Sequence, residues 1–210
     1  MQIISIVKSI VRSFVKTFDD LKDKGLITSE TLDRYWDFNI HSILQYSLIL
    51  AARESNIIAL PEYRLRLSKP IDKQTIDSRL KAKQRYMRTL RVDVGFLISS
   101  KLVGVGEVYT PDEIHGCLPS SELEEPWITP YHKLIHIVEY ERNLKFLIIV
   151  VGLWKISSWK DAKKRSLNDW STCWQGLINR LAKRITIGVI FVNSLNNLTT
   201  SVLGHAVHSN

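Results

Sequence analysis

The sequence predicts an α/β fold: a mixed central sheet flanked by helices, with an extra amphipathic helix at the N-terminus. Three observations point to it. Apolar residues recur at helical spacing over residues 1–54, and from residue 57 the period shortens to that of strands. Leu144 to Trp154 is almost continuously apolar, the pattern of a strand covered on both faces. Helical stretches then alternate with the last strands, as crossover connections require.

Residues 1–24 carry Ile3, Val7, Ile10, Phe14, Phe18 and Leu21 on one helical face and Lys8, Arg12 and Lys16 on another, and Gly25 ends the helix. This stripe packs either on the domain or on a second copy; basic flanks also suit a helix lying on a membrane surface. Residues 28–54 form the next helix, capped by Thr28 or Ser29, with an acidic N-terminal end at Glu30, Asp33 and Asp37. Residues 57–67 form a strand, and Pro61 near its middle implies a sheet edge or a break. Strands follow at 91–99 and 102–109, joined by a tight turn at Ser99-Ser100-Lys101. An acidic, proline-containing loop spans 110–129, and Pro130 opens a helix to about Tyr140. Beyond the strand at 144–154 come a helix over 167–184 and a buried strand over 185–192. The chain thus divides into the N-terminal helix (1–25), one α/β domain (26–192) and a loose polar tail (193–210).

Composition narrows the function. The chain has 210 residues, 45% of them hydrophobic, and a net charge of +8, which favours an anionic partner. The longest uncharged apolar run, Phe146 to Trp154, falls well short of the roughly 20 residues that span a bilayer, so a membrane role is disfavoured. Lys8, Arg12 and Lys16 interrupt the N-terminus, which therefore has no signal-peptide core. Cys117 and Cys173 form neither a disulfide framework nor a zinc cluster, and read as idle thiols in a reducing, intracellular compartment.

The chemistry lies in the strand pair at 91–109. Asp93 sits in Arg-Val-Asp-Val-Gly-Phe and Glu107 in Gly-Val-Gly-Glu-Val-Tyr, each about seven residues from the turn. A hairpin brings them side by side at its open end. Two acids among apolar strand residues repel each other and are costly unless a cation intervenes. A hard divalent ion such as Mg²⁺ resolves that cost. Gly104 and Gly106 read either as an uncluttered surface that a phosphate can approach or as a bulge; without a third glycine they are no dinucleotide fingerprint.

An acid-headed helix, a strand, Asp93 on a second strand and Glu107 on a third resemble the PD-(D/E)XK nuclease superfamily. That superfamily includes archaeal Holliday-junction resolvases and nuclease-like proteins of archaeal viruses. The resemblance covers residues 28–192 and implies a restriction-endonuclease-like fold. It further implies a Mg²⁺- or Mn²⁺-dependent endonuclease that hydrolyses DNA, with branched or junction DNA among its substrates. It makes Asp93 and Glu107 the metal ligands and calls for a helical acid, for which Glu30, Asp33 and Asp37 are candidates; Glu62 is a further acid able to face the metal. Two departures stand out. The proline before the aspartate is Val92, and the lysine expected two residues after the glutamate is Tyr109. Some members carry the basic group on the next helix, where Lys133 is the candidate and His132 and His136 are weaker ones. By the same analogy, with the apolar N-terminal stripe, a homodimer is expected, located in the cytoplasm, or the host cytoplasm for a viral protein.

Residues 64–91 hold ten basic residues, Arg64, Arg66, Lys69, Lys73, Arg79, Lys81, Lys83, Arg85, Arg88 and Arg91, against Asp72 and Asp77. The excess of the whole chain is therefore local and lies just before Asp93. Arginines bind phosphate in bidentate fashion, so this stretch is the expected seat of the DNA backbone, though charge runs also serve simply as solvated faces. A second basic group runs from Lys155 to Arg165, with Trp154 and Trp159 able to stack on bases or to pack in the core. A nucleic-acid-binding protein without catalysis is the alternative reading, favoured by Tyr109.

Overall fold

The computed structural model describes residues 2–33, 38–68, 89–118, 130–154 and 167–204. The sheet has six strands: β1 (Ile58–Arg66), β2 (Thr89–Ile98), β3 (Lys101–Tyr109), β4 (Phe146–Gly152), β5 (Thr186–Ser194) and β6 (Asn197–Leu203). They lie in sequence order, β1-β2-β3-β4-β5-β6. The first three form an antiparallel meander, β3, β4 and β5 run parallel, and β6 returns antiparallel to β5. The sheet is therefore mixed, and its parallel part is joined through the helices α4 (Pro130–Tyr140) and α5 (Leu167–Ala182).

Two apolar layers cover it. On one face lie α1 (Ile3–Asp23), α2 (Ser29–Asp33) and α3 (Phe38–Glu54), whose Phe14, Phe18, Leu44 and Leu48 pack with Phe96, Phe146 and Ile148. On the other, α4 and α5 bring Leu134, Ile137, Trp174 and Ile178 against Val105, Leu147 and Ile149. Because both faces are covered, every residue of β4 is buried, which explains its unbroken apolar run.

The stripe of α1 is consumed within the chain: Ile6, Val7, Ile10, Val11, Phe14 and Phe18 are buried against α3 and the sheet. The stripe therefore no longer argues for a membrane-surface helix or for a dimer. Gly25 ends α1 at a φ of 70°, which glycine adopts without a Cβ penalty, and Leu26 N–H closes back on Leu21 O at 2.9 Å. Thr28 supplies the cap of α2, its hydroxyl accepting the Thr31 amide at 3.2 Å. Among the described residues, no helix is long and apolar enough to cross a membrane.

Three expectations need correction. The tail from Asn193 is not loose where it is described: β5 runs on to Ser194 and Asn197–Leu203 pairs with it as an edge strand, its alternation masked by Asn, Ser and Thr. The loop after β3 begins with a 3₁₀ turn at Pro111–Cys117. The two cysteines are not idle thiols. Cys117 at the end of that turn and Cys173 on α5 have Cα atoms 5.8 Å apart and are joined as a disulfide. The sequence separation of 56 residues hid their proximity, and the bond removes cysteine usage as an argument for a reducing compartment.

Candidate active site at the fork between two strands

The β2–β3 ladder runs from Ile98–Lys101 to Val94–Gly106 and stops there, while β3 continues alongside β4 from Glu107–Ile149 to Tyr109–Val151. On its other side, β2 pairs with β1 at Pro61–Val94 and Tyr63–Val92, leaving Glu62 and Asp93 between them outside the ladder. Asp93 thus stands where β2 parts from β3 and where its ladder with β1 skips one pair. The freed backbone groups find side-chain partners, as buried peptide groups must. Val108 N–H donates to Asp93 Oδ2 at 2.7 Å, and Gln45 Nε2 donates to Asp93 O at 2.7 Å and to Glu62 Oε1 at 2.9 Å. Glu62 takes a φ of 51°, strained for a residue with a Cβ, and ion-pairs with Arg91.

Glu107 projects to the face of α4. Its side chain is 1% exposed, and Lys133 Nζ reaches its Oε2 at 2.6 Å. Tyr109 OH donates to the same oxygen at 3.3 Å, and the tyrosine ring stacks on Trp174 with centroids 5.2 Å apart. The other oxygen, Oε1, is buried and has no hydrogen-bond partner among the described residues. From the opposite face, His41 on α3 brings Nε2 to 3.5 Å from Asp93 Oδ1. The fork therefore admits one side chain from each helical layer.

The electrostatics follow from this geometry. Burial, reinforced by the Asp93 charge, pushes the Glu107 carboxyl up to about 7 even though Lys133 opposes it. Burial also works to raise Asp93, but His41, Lys133 and the Val108 amide outweigh it and hold that carboxyl below its usual range. The Asp93 hydrogen bond raises His41 despite its burial, and Glu113 and Glu62 add to the effect. Burial alone would lower Lys133, yet Glu107 and Asp93 hold it above the ordinary lysine value. One carboxyl pushed up and one held down, with the Lys133 cation on the first, is an arrangement suited to acid–base or metal chemistry.

Asp93, Glu107 and Lys133 thus come together as their order in the sequence suggested. Other candidates do not join them. Glu30 is exposed on the short α2 and is not among the contacts of Asp93 or Glu107. Asp33 ends α2, but its side chain, like all of Asp37, lies outside the described residues. His132 lies edge-on to Tyr131 and His136 against Tyr140, so the cation that reaches Glu107 is that of Lys133. Glu62 is drawn towards Gln45 and Arg91. Gly104 and Gly106 leave no open surface: a Cβ on Gly104 would meet the Phe146 ring at 2.5 Å, and one on Gly106 would meet Leu48 at 2.7 Å. They are small because the core passes over them.

Two residues escaped the sequence reading. His41 stands four positions after Asp37 in the sequence, a spacing that a search for acids alone passes over. Glu113 sits in the turn after β3, accepts the Thr110 amide at 3.2 Å, and its charge is felt by His41, Tyr109 and Lys133.

The residues fit a divalent ion in one respect and limit it in another. The orphaned Glu107 Oε1 beside Asp93 offers hard oxygen donors to a Mg²⁺-type ion, which binds through one or two carboxylates and keeps water or phosphate oxygens. Among the described residues no group of three or more His, Cys, Asp or Glu side chains is placed to hold an ion by itself. The arrangement fits a site completed by water and substrate, not a closed protein cage.

Of the expected phosphate contacts, Arg64 and Arg66 are exposed on the edge strand β1, and Arg91 is exposed on β2 directly opposite Arg64. The Arg91 charge is met by Glu62 beside it. Arg79, Lys81, Lys83, Arg85 and Arg88 lie outside the described residues, as do Lys69, Lys73 and the basic group from Lys155 to Arg165 with Trp159. Trp154 is a core residue, 5% exposed, its indole N–H donating to Leu32 O at 2.6 Å. No family model, curated protein or solved structure matches this chain.

Proposed function

We propose that the chain is a metal-dependent endonuclease acting on DNA, in the manner of the PD-(D/E)XK nucleases it resembles. The observation that carries this reading is the constellation at the fork: Asp93 and Glu107 adjacent, Lys133 on Glu107 Oε2, and Glu107 Oε1 without a partner among the described residues. The meander, helix and parallel strand that hold these residues occur in the order the resemblance implies.

Asp93 Oδ1 and Glu107 Oε1 would hold Mg²⁺ or Mn²⁺, which supplies a Lewis acid for the phosphate and a more acidic bound water. The Lys133 ammonium, kept in place by Glu107, offsets negative charge that develops at the phosphorus. Val108 N–H and Gln45 hold Asp93 in place, so little reorganisation is needed when substrate binds. Arg64, Arg66 and Arg91 lie on the same pair of strands as Asp93 and bind the backbone by charge rather than by base sequence. Branched or junction DNA is the preferred substrate class in this reading, and the substitution of Tyr109 for the motif lysine is compensated by Lys133.

The test is cleavage of labelled linear, single-stranded and four-way-junction DNA with Mg²⁺ or Mn²⁺, by the wild type and by Asp93→Ala and Glu107→Ala. Cutting that both substitutions abolish supports the proposal. Binding without cutting on every substrate, unchanged by Asp93→Ala, favours the second reading, a non-catalytic nucleic-acid-binding protein. The observation behind that reading is Tyr109, buried on Trp174 where the family carries a lysine.

A further inference from the structure

We propose that the Cys117–Cys173 disulfide is a redox switch on the site at the fork: oxidised, it pins the walls of the site together, and reduction by a dithiol loosens them. Its effect on cleavage, though not its effect on geometry, rests on the nuclease reading above.

Both ends of the bond lead to the fork. Cys173 adjoins Trp174 on α5, and the buried Trp174 ring stacks on Tyr109 with centroids 5.2 Å apart. The Tyr109 hydroxyl donates to Glu107 Oε2 at 3.3 Å, the oxygen that Lys133 also reaches. Cys117 closes the turn Pro111–Cys117, whose Glu113 accepts the Thr110 amide at 3.2 Å. Thr110 follows Tyr109 directly, and Val108 on its other side donates the amide that holds Asp93 Oδ2. One sulfur is thus linked by contacts to Glu107, and the other to the strand end that fixes Asp93. The turn also presses on the start of α4, the helix of Lys133: a Cβ on Gly116 would meet the Pro130 ring at 2.5 Å. A single covalent bond therefore ties α5 to the turn that touches α4 and caps β3.

The bond is open to a reductant from one side. Cys117 is 4% exposed, whereas Cys173 is only partly buried. Gly176 lies three residues on, on the same face of α5, and a Cβ there would meet none of the described residues within 4 Å. A dithiol thiolate attacks the Cys173 sulfur, and the S–S electron pair leaves on Cys117, which takes up a proton. The second thiol of the reagent then displaces Cys173 from the mixed disulfide. Two electrons and two protons pass to the cysteines, and the reagent ends as its own disulfide. Two thiols do not stay at bonding distance, so the end of the turn and α5 part, and the contacts that each carries to the fork slacken.

The experiment compares the full chain oxidised, reduced with dithiothreitol and reoxidised, beside the double variant Cys117→Ser, Cys173→Ser. Amide hydrogen exchange is read at Val108 and Thr110, with the amides of β4 as the control, and DNA cleavage with Mg²⁺ is timed on the same samples. Reduction should speed exchange at Val108 and Thr110 about tenfold more than in β4, and slow cleavage by a similar factor. Reoxidation should reverse both, and the double variant should match the reduced chain and ignore dithiothreitol. Exchange that rises equally everywhere, or nowhere, overturns the proposal, because the bond is then a general staple or idle. Loss of helix by circular dichroism on reduction overturns it in the same way. Local loosening with cleavage equally fast in both states shows that the bond does not regulate the site, and also overturns it. Reversible local loosening in a chain that cuts no DNA in either state upholds the redox coupling while the nuclease reading fails.

Discussion

Lys133 and Glu107 meet at 2.6 Å although they come from a helix and from the strand beneath it, and the carboxylate they share is 1% exposed. Neither side chain has a reason to be buried without the other, because an unpaired charge in that position is far more costly than the pair. Lys133→Met should therefore destabilise the chain by about 3 kcal/mol above pH 7, where Glu107 is ionised. Glu107→Gln in the same molecule should recover much of that loss. Chemical denaturation of the four members of the cycle measures the coupling; strictly additive effects would show that the contact contributes nothing.

The pH dependence of stability follows from Glu107. Its carboxyl is raised from 4.5 to about 7 in the folded chain, so between those values the folded state holds a proton that the unfolded state has released. Its contribution is fully present below the lower value and is lost as pH rises through the upper one, amounting to ~3 kcal/mol across the window. The wild type without divalent ions should lose stability from pH 5 to pH 8 by more than Glu107→Gln does. Asp93, held low, acts in the opposite sense and loses its contribution only as pH falls into the acid range. Equal slopes for wild type and Glu107→Gln would show that Glu107 titrates normally.

Gly104→Ala tests whether the glycines of β3 serve packing. The added methyl would lie 2.5 Å from the Phe146 ring. A loss of about 1–3 kcal/mol is expected, read as a lower thermal midpoint with DNA affinity unchanged once folded. A stable variant with weakened DNA binding would restore the idea of a phosphate-facing surface.

Arg64 and Arg91 are opposite one another on exposed strands. Replacing either with alanine should weaken binding to duplexes of unrelated sequence alike and reduce the slope of log affinity against log salt by about one. A substitution that changes sequence preference instead would point to contact with base edges.

Much of the fold was legible because periodicity reports burial. The stripe of α1, the unbroken run of β4 and the Pro61 edge all follow from which faces are covered. The Asp93–Glu107 pairing was legible from symmetry about the turn at Ser99 and Ser100. What was not legible depended on distance in space. His41 reaches Asp93 from a helix 52 positions away in sequence, the disulfide partners are 56 apart, and β6 hides its alternation under polar residues. The glycines misled because a gap in a side-chain row looks the same whether a ligand or a phenyl ring fills it.

The Cys117–Cys173 bond also changes the connectivity of the molecule. It closes a covalent ring that contains α4, with Lys133, and β4, the central parallel strand of the site's scaffold. A single cut of the backbone inside that ring, on either side of α4, leaves one covalent molecule, with the helix bearing Lys133 still attached through the uncut arm. Peptide-bond scission between the cysteines therefore becomes a rearrangement instead of a dissociation, and only a reductant converts it into two fragments.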